Sequence, residues 1–460
     1  METNKSKNMT AGSPMKLILA FFMPLLLGML FQQLYNMMDT MIVGRFLGAK
    51  ALAEVGGTGS INFMIIGFCM GVCNGFAIPV AKSFGAEDES VLRRYVANSV
   101  WLSIAFSLVT TIIVCILCRN ILIWMDTPSD ILEGSYDYIF VIFLGIPVVY
   151  LYNLLSGILR SLGDSKTPLY FLVISSLLNI VLDLIAIVVL HMGVSGAAWA
   201  TVVSQGISGI LCLIYIAKKY PILKISKEEW QPSWKFMRLL CMMGIPMGLQ
   251  YSITAIGSII LQTAVNSLGS MAVASVTAGN KISMLFCCPF DAMGATMATY
   301  AGQNTGARKL DRVTEGIKSC SLIALVYSIL ACIVLISFGK ELSLLFVDSN
   351  EVDVITNSAI LLKWSSLFFF PLALVNIIRF TIQGMGFGNL AILAGVCEMI
   401  ARSIVGFIFV PMFGYIAACF ASPVAWVMAD VFLIPAYFYV LNKLKNEKRV
   451  CEHSNLSLES

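Results

Sequence analysis

Asp39 and Asp183 are ionisable side chains inside long apolar runs of this 460-residue chain. A charge near the centre of a bilayer costs about 2.5 to 3.5 kcal/mol on insertion scales, so an acid kept there marks a site of ion or proton chemistry. Gln32, Tyr35 and Asn36 lie one to two helical turns before Asp39 and make a polar stripe with it. Ser175, Asn179 and Asp183 are spaced by four and share one helical face, and Thr201 and Ser204 follow on the next apolar run. If those faces meet, two carboxylates, an amide carbonyl and several hydroxyls form one oxygen-rich pocket. A carboxylate pair can share a proton and titrate as a unit, which suits H⁺ coupling. The oxygens of Asp39, Asn179, Asp183 and Thr201 can equally replace the hydration shell of Na⁺.

The elements that position these residues must be helices in lipid. Of the residues, 58% are hydrophobic and 12% charged, against about 25% charged in a soluble domain. Twelve continuous apolar runs are each long enough to cross a core that needs roughly 20 residues, among them 17–45, 134–158, 168–190, 193–219 and 354–383. Barrel strands would be shorter and would alternate in polarity. The chain therefore reads as an all-α polytopic membrane protein with a tail at 1–15, a six-helix lobe at 16–219, a linker at 220–236, a second six-helix lobe at 237–441 and a tail at 442–460. The apolar run after Met15 is too long for a signal-peptide core, and no processing is expected.

Orientation is set by the 30 lysines and arginines, of which about 22 or 23 fall on the N-terminus (Lys5, Lys7, Lys16), the even-numbered loops and the C-terminal tail (Lys443, Lys445, Lys448, Arg449). Both termini are therefore expected in the cytoplasm, and the protein in the inner (plasma) membrane. The dense clusters Lys218, Lys219, Lys224, Lys227, Lys235, Arg238 and Arg308, Lys309, Arg312, Lys318 alternate with uncharged loops, which favours a topology signal over a nucleic-acid site. Thirteen cysteines lie almost wholly inside spans, and the only histidines are His191 and His453. Cys115 and Cys118 form a C-x-x-C at the end of an apolar helix, where packing explains them. Without a phosphate loop, a nucleophile triad or metal-ligand spacing, enzyme chemistry and a resident cofactor are not expected.

A shift of about 221 residues brings the halves into register. Leu47-Gly48 with Ala51-Leu52-Ala53 matches Leu268-Gly269 with Ala272-Val273-Ala274, Gly85-Ala86 matches Gly306-Ala307, and Gly193 with Ala197, Ala198 and Ala200 matches Gly414 with Ala418, Cys419 and Ala421. Six spans per half make the repeats parallel, a scaffold suited to alternating access. Pro24 and Pro246 fall at corresponding places, and Pro24 is the candidate hinge. The halves differ in charge. The counterparts of Asp39 and Asp183 are apolar or small, near Ile260 or Leu261 and near Ile404 to Gly406. The second half instead offers Asp291, Glu398, Arg402 and Asp430 within spans, with Lys281, Lys363 and Arg379 nearer span ends. Asp291, Glu398 and Arg402 are candidate cavity residues, although Glu398 and Arg402, four apart, are expected to neutralise each other.

At these residues the sequence resembles the multidrug and toxic compound extrusion (MATE) family. The resemblance rests on Gln33-Leu-Tyr-Asn-Met-Met-Asp-Thr-Met-Ile-Val-Gly44, Leu159-Arg-Ser-Leu-Gly-Asp-Ser-Lys-Thr-Pro168, Asn179 with Asp183, Gly196-Ala-Ala-Trp-Ala-Thr201 and Gly302-Gln-Asn-Thr-Gly-Ala307 with Arg312. It implies a V-shaped fold of twelve transmembrane helices in two lobes and cation-coupled export of amphipathic, cationic organic compounds. In the branch that keeps its acids in the N-terminal lobe, the cation site would fall on Asp39, Asn179, Asp183 and Thr201, with Tyr35 nearby. Substrate and membrane lipid are the expected partners, no nucleic acid is, and the expected state is a monomer. The 24 methionines suit a cavity tolerant of varied apolar cations. A lipid-linked precursor flippase of the same superfamily is the alternative, disfavoured by twelve spans and acidic cavity residues. An uncoupled channel or receptor is disfavoured by the two-lobe repeat and the paired acids.

Overall fold

The computed structural model describes residues 8–125 and 127–459, excluding the side chains of residue 49 and of residues 448 onward. Lys5 and Lys7, and the side chains of Lys448, Arg449 and His453, lie outside that description. The regular structure described is entirely helical. In order it comprises α1 (Pro14–Leu47), α2 (Ala49–Gly57), α3 (Gly59–Gly85), α4 (Glu89–Trp124), α5 (Leu132–Leu144), α6 (Ile146–Ser161), α7 (Lys166–Leu184) and α8 (Gly193–Lys219). The second series is α9 (Trp234–Asn266), α10 (Ser270–Gly306), α11 (Leu310–Ser343), α12 (Val352–Leu367), α13 (Phe369–Gly384), α14 (Gly388–Ile404), α15 (Val410–Phe413) and α16 (Tyr415–Glu459). Among the described residues, ten helices are long and apolar enough to span a membrane, or up to 12 if each of two bent pairs is one span.

The bent pairs are α5 with α6 at 45° and α12 with α13 at 52°. They fall in the runs 134–158 and 354–383, and in each a proline, Pro147 or Pro371, stands in the first turn of the second piece. Its missing N–H suits the start of a helix and not the interior, so each run breaks there. Helix starts are set by side chains as well. Asp164 Oδ1 accepts from the backbone N–H groups of Lys166 and Thr167, both at 3.0 Å, at the head of α7, and Asp88 caps α4 through the Val91 N–H at 3.0 Å.

The repeat is visible in the backbone. Gly48 and Gly269, 221 residues apart, both take a positive φ (89° and 94°), as do Gly193 and Gly414 (64° each). Such angles are open to glycine at little cost. Each half also carries a π-helical turn, Ile185–Val189 after α7 and Val405–Phe409 after α14. Such turns are frequent at functional sites.

The chain divides into two compact units, and the boundaries at residues 22 and 252 lie inside helices. Unit 1 comprises Met1–Asn8 and Met23–Ser252, and unit 2 comprises Met9–Phe22 and Ile253–Ser460. Thus the head of α1 belongs with the later helices and the head of α9 with the earlier ones, a division that lobes drawn at 16–219 and 237–441 do not anticipate. Close packing explains the second exchange. A Cβ on Gly71 of α3 would lie 2.5 Å from the Met247 carbonyl oxygen of α9, and one on Gly75 would lie 2.4 Å from the Gly244 Cα. Only small residues let two helix backbones meet so closely, and in lipid such contact drives association. Phe76, Ile139, Phe143 and Tyr150 fill the interior of unit 1, and Phe290, Tyr300 and Phe369 that of unit 2.

Candidate functional site

The polar stripe of α1 and the polar face of α7 meet inside unit 1. Asn179 and Asp183 are 1% and 0% exposed, and Asp39 is 9% exposed. The Asp39 and Asp183 carboxyl groups lie within hydrogen-bonding range of each other. With its amide oriented to suit its neighbours, Asn179 donates to Asp183 Oδ2 at 3.2 Å and accepts from Thr201 Oγ1 of α8 at 3.3 Å. The Tyr35 hydroxyl is in turn a hydrogen-bonding neighbour of Thr201. Tyr35, Thr201 and Asn179 therefore form a relay whose last donor points at Asp183.

That relay leaves the acids undersupplied. Among the described residues, the buried Asp39 Oδ1 and Asp183 Oδ1 have no hydrogen-bond partner, and no lysine or arginine forms an ion pair with either. Two carboxyl groups within bonding range need a proton or a cation between them, because an ionised carboxylate can only accept. The donor set is all oxygen, matched to H⁺ or a small hard cation.

Of the residues picked from sequence, Tyr35, Asp39, Asn179, Asp183 and Thr201 converge. Ser175 is buried on the same face of α7. Ser204 donates to the Thr201 carbonyl at 3.0 Å and so braces α8 locally. Gln32 is half-buried, and Asn36 is exposed with its carbonyl accepting from Thr40 Oγ1 at 2.9 Å. Tyr138 of α5 was not foreseen. It is 7% exposed and stands close to Tyr35, Asp39 and Asp183, but a tyrosine in an apolar span gives no sequence signal of such a role.

Unit 2 contains the expected ion pair of Glu398 with Arg402 and adds a second arginine to it. Glu398 is held first by Arg379 of α13, through Nη2 to Oε1, while Arg402 approaches Glu398 Oε2 at 3.6 Å. Arg379, expected near a span end, is 5% exposed, and Asp430 of α16 is 8% exposed near it. Asp291 is exposed, with Arg379 as a charged neighbour. On the 221-residue shift, Asn179 and Asp183 correspond to Ile400 and Ile404. Both line a wholly apolar groove of about 550 Å³ with Phe409, Phe413, Phe420 and Met428.

Comparison with known proteins agrees with this architecture. The MatE family model matches the chain twice, over residues 24–185 and 246–408. "Probable multidrug resistance protein YpnP" of Bacillus subtilis is 30% identical over 374 residues, covering 81% of this chain and 83% of that protein. "Probable multidrug resistance protein NorM" of Thermotoga maritima is 24% identical over 359 residues, covering 77% and 76% respectively. The solved outward-facing conformation of a multidrug resistance MATE family transporter of the MOP superfamily superposes with a TM-score of 0.91 at 23% identity, over 97% of this chain and 100% of that one. The two family matches begin at Pro24 and Pro246, 222 residues apart (246 − 24), beside the shift read from the glycine pairs. The chain is a multi-pass membrane protein and belongs to the MatE family of multidrug and toxic compound extrusion transporters.

Proposed function

We propose that the protein is a cation-coupled antiporter that exports amphipathic, cationic organic compounds by alternating access, with its coupling site at Asp39 and Asp183. The observation that carries this reading is the pair of buried, mutually close carboxyl groups, each with an unpartnered oxygen and no basic ion-pair partner among the described residues. Left fully ionised in an apolar lobe, such a pair is costly, so it draws a cation from the aqueous phase whenever the site is open to it. Binding there weakens substrate binding, and reciprocity requires substrate to weaken the cation.

H⁺ is the ion taken forward, because two carboxyl groups within bonding range can share a proton without any further ligand. In the orientation that satisfies its neighbours, the Asn179 carbonyl faces Thr201 and its amide group donates to Asp183, the arrangement of a cation-free site. Na⁺ coordination by Asp39, Asn179, Asp183 and Thr201 would require that amide to turn. Substrate breadth comes from the names of the relatives, which are multidrug resistance proteins. Pro24 would serve as the hinge of α1, one residue past the point at which the helix passes from unit 2 to unit 1. The charge pattern supports an orientation with both termini in the cytoplasm and the protein in the plasma membrane, where it is taken to work as a monomer surrounded by lipid.

Everted vesicles test the coupling. A pH gradient and a sodium gradient are imposed separately and a fluorescent cationic dye is followed. The pH gradient should drive the dye, and transport under neither gradient would sink the proposal, as would full transport by Asp39→Asn and Asp183→Asn proteins.

A further inference from the structure

Unit 1 also holds a cation without a counterion. Arg160 of α6 lies in the run Leu159-Arg-Ser-Leu-Gly-Asp-Ser-Lys-Thr-Pro168, which the proposed coupling site does not use. Among the described residues it forms no ion pair. Its guanidinium makes a single hydrogen bond, from Nη2 to Asn74 Oδ1 of α3 at 3.0 Å. An amide oxygen accepts that bond but cancels no charge. A guanidinium carries five N–H donors and keeps its proton in proteins. Unlike the two aspartates, Arg160 therefore has no neutral form to fall back on, and a charge among apolar helices without a counterion is costly.

The nearest acid in sequence is engaged elsewhere. Asp164 accepts from the Lys166 and Thr167 N–H groups at 3.0 Å, and from Thr167 Oγ1 and the Tyr220 hydroxyl at 2.5 Å. Both of its oxygens thus serve the head of α7 and Tyr220. The repeat shows what is missing. Arg379 stands on α13, the second piece of the other bent pair, and is held by the buried Glu398. On the 221-residue shift Glu398 corresponds to Leu177 of α7 (398 − 221), which offers no charge. The surroundings of Arg160 form a recess within unit 1 and not a sealed core. Arg160, Asn74, Tyr152 of α6 and Tyr251 of α9 are all half-buried. Both tyrosines stand close to the guanidinium, as do the buried Cys73 and Cys212. None of the remaining guanidinium donors is sealed into the protein without a partner, so they open onto the recess. Gly157, one turn earlier, lets α6 approach α3, since a Cβ there would stand 3.3 Å from the Ala77 Cβ and 4.0 Å from Arg160 Nη2.

We propose that Arg160 is an anion-binding residue of unit 1 and takes the carboxylate of a zwitterionic amphipathic substrate. A single guanidinium balances a single negative charge, and its planar fork matches the two oxygens of a carboxylate. Tyr152 and Tyr251 supply aromatic surface and hydroxyl groups for the organic body that carries that carboxylate. The exported cations then include compounds that bear an acid group as well. For the export of the bound compound this rests on the transport reading above, whereas the binding stands on the surroundings of Arg160 alone.

Two dyes test this with the full-length protein in detergent. Rhodamine B joins a xanthylium cation to a free carboxylate, and its ethyl ester keeps the cation and blocks the acid. Fluorescence anisotropy at neutral pH reads the affinity for each. The original protein should bind rhodamine B about tenfold or more tighter than the ester, and Arg160→Gln should erase that preference. Arg160→Lys, which keeps the charge and loses the fork, should retain part of it. Benzoate should displace rhodamine B and leave the ester bound, a measurement on the original protein that decides the matter should Arg160→Gln fail to fold. Equal affinity of the original protein for the two dyes overturns the proposal, as does an undiminished preference in folded Arg160→Gln protein or benzoate that displaces neither dye. Everted vesicles separate this outcome from the transport reading. If neither a pH nor a sodium gradient drives either dye, the transport reading fails, and the affinity ratio still decides whether Arg160 binds the carboxylate.

Discussion

Unit 1 holds two neighbouring acids that no described lysine or arginine pairs with, whereas unit 2 holds one carboxylate gripped by two arginines. Both arrangements are buried, and the difference between them separates function from structure. Glu398 is neutralised by Arg379 and Arg402, which belong to the fold itself, and nothing from outside is needed to hold it. Asp39 and Asp183 can be neutralised only by something that arrives, and a group that depends on an arriving cation reports on the gradient of that cation. On the function proposed above, the same repeat serves as a scaffold twice and as a coupling site once, and Asp430, a buried acid of unit 2 that also has an unpartnered oxygen among the described residues, is the position that tests the contrast.

The comparison breaks most readily at Glu398. Its replacement by Ala leaves two guanidinium groups buried without their shared carboxylate, a loss of about 3 to 5 kcal/mol, seen as a lower thermal midpoint in detergent. Asp183→Asn keeps the shape and the Asn179 contact, so its midpoint should stay within about 1 kcal/mol of the original. Equal destabilisation by the two would erase the distinction between the units. Transport inverts the ranking. Asp39→Asn and Asp183→Asn should each lower gradient-driven dye efflux by about tenfold or more, and a folded Asp430→Asn protein should retain most of it.

Tyr138 sharpens the boundary of the site. Tyr138→Phe keeps the ring and removes one polar hydroxyl near the acids, so a loss of roughly twofold to tenfold in efflux is expected. A variant that matches the original in rate and pH profile would reduce Tyr138 to packing. The smallest effect concerns the linker. Glu229 has its carboxyl held below the ordinary range in the folded state, chiefly by the Ser226 N–H and then by Arg93. Its contribution to stability is therefore present above the unfolded glutamate value of about 4.3 and is lost as pH falls through the lower folded value. Proteolysis of the linker should quicken only in that acidic range, and Glu229→Gln should remove the pH dependence.

Legibility in the sequence depends on which interactions leave a periodic trace. Spans and repeat were legible because apolar length and glycine conformation are local properties, and Asp39, Asn179 and Asp183 because polar groups at helical spacing stand out in apolar runs. The Glu398–Arg402 pair is legible because the two are four apart on one helix, whereas Arg379 and Glu398, 19 residues apart on different helices, have no common spacing. The exchange of helix heads between units was hidden because the boundaries at residues 22 and 252 fall inside unbroken helices, where no loop composition marks them.

The central claim is that coupling resides in unit 1 alone. It is tested by adding a cationic dye to purified protein in weakly buffered detergent solution and measuring the protons released. The account predicts release by the original protein, its loss in the Asp39→Asn and Asp183→Asn double variant, and its persistence in Asp430→Asn. Undiminished release from the double variant, or its disappearance on changing Asp430 alone, would contradict the account.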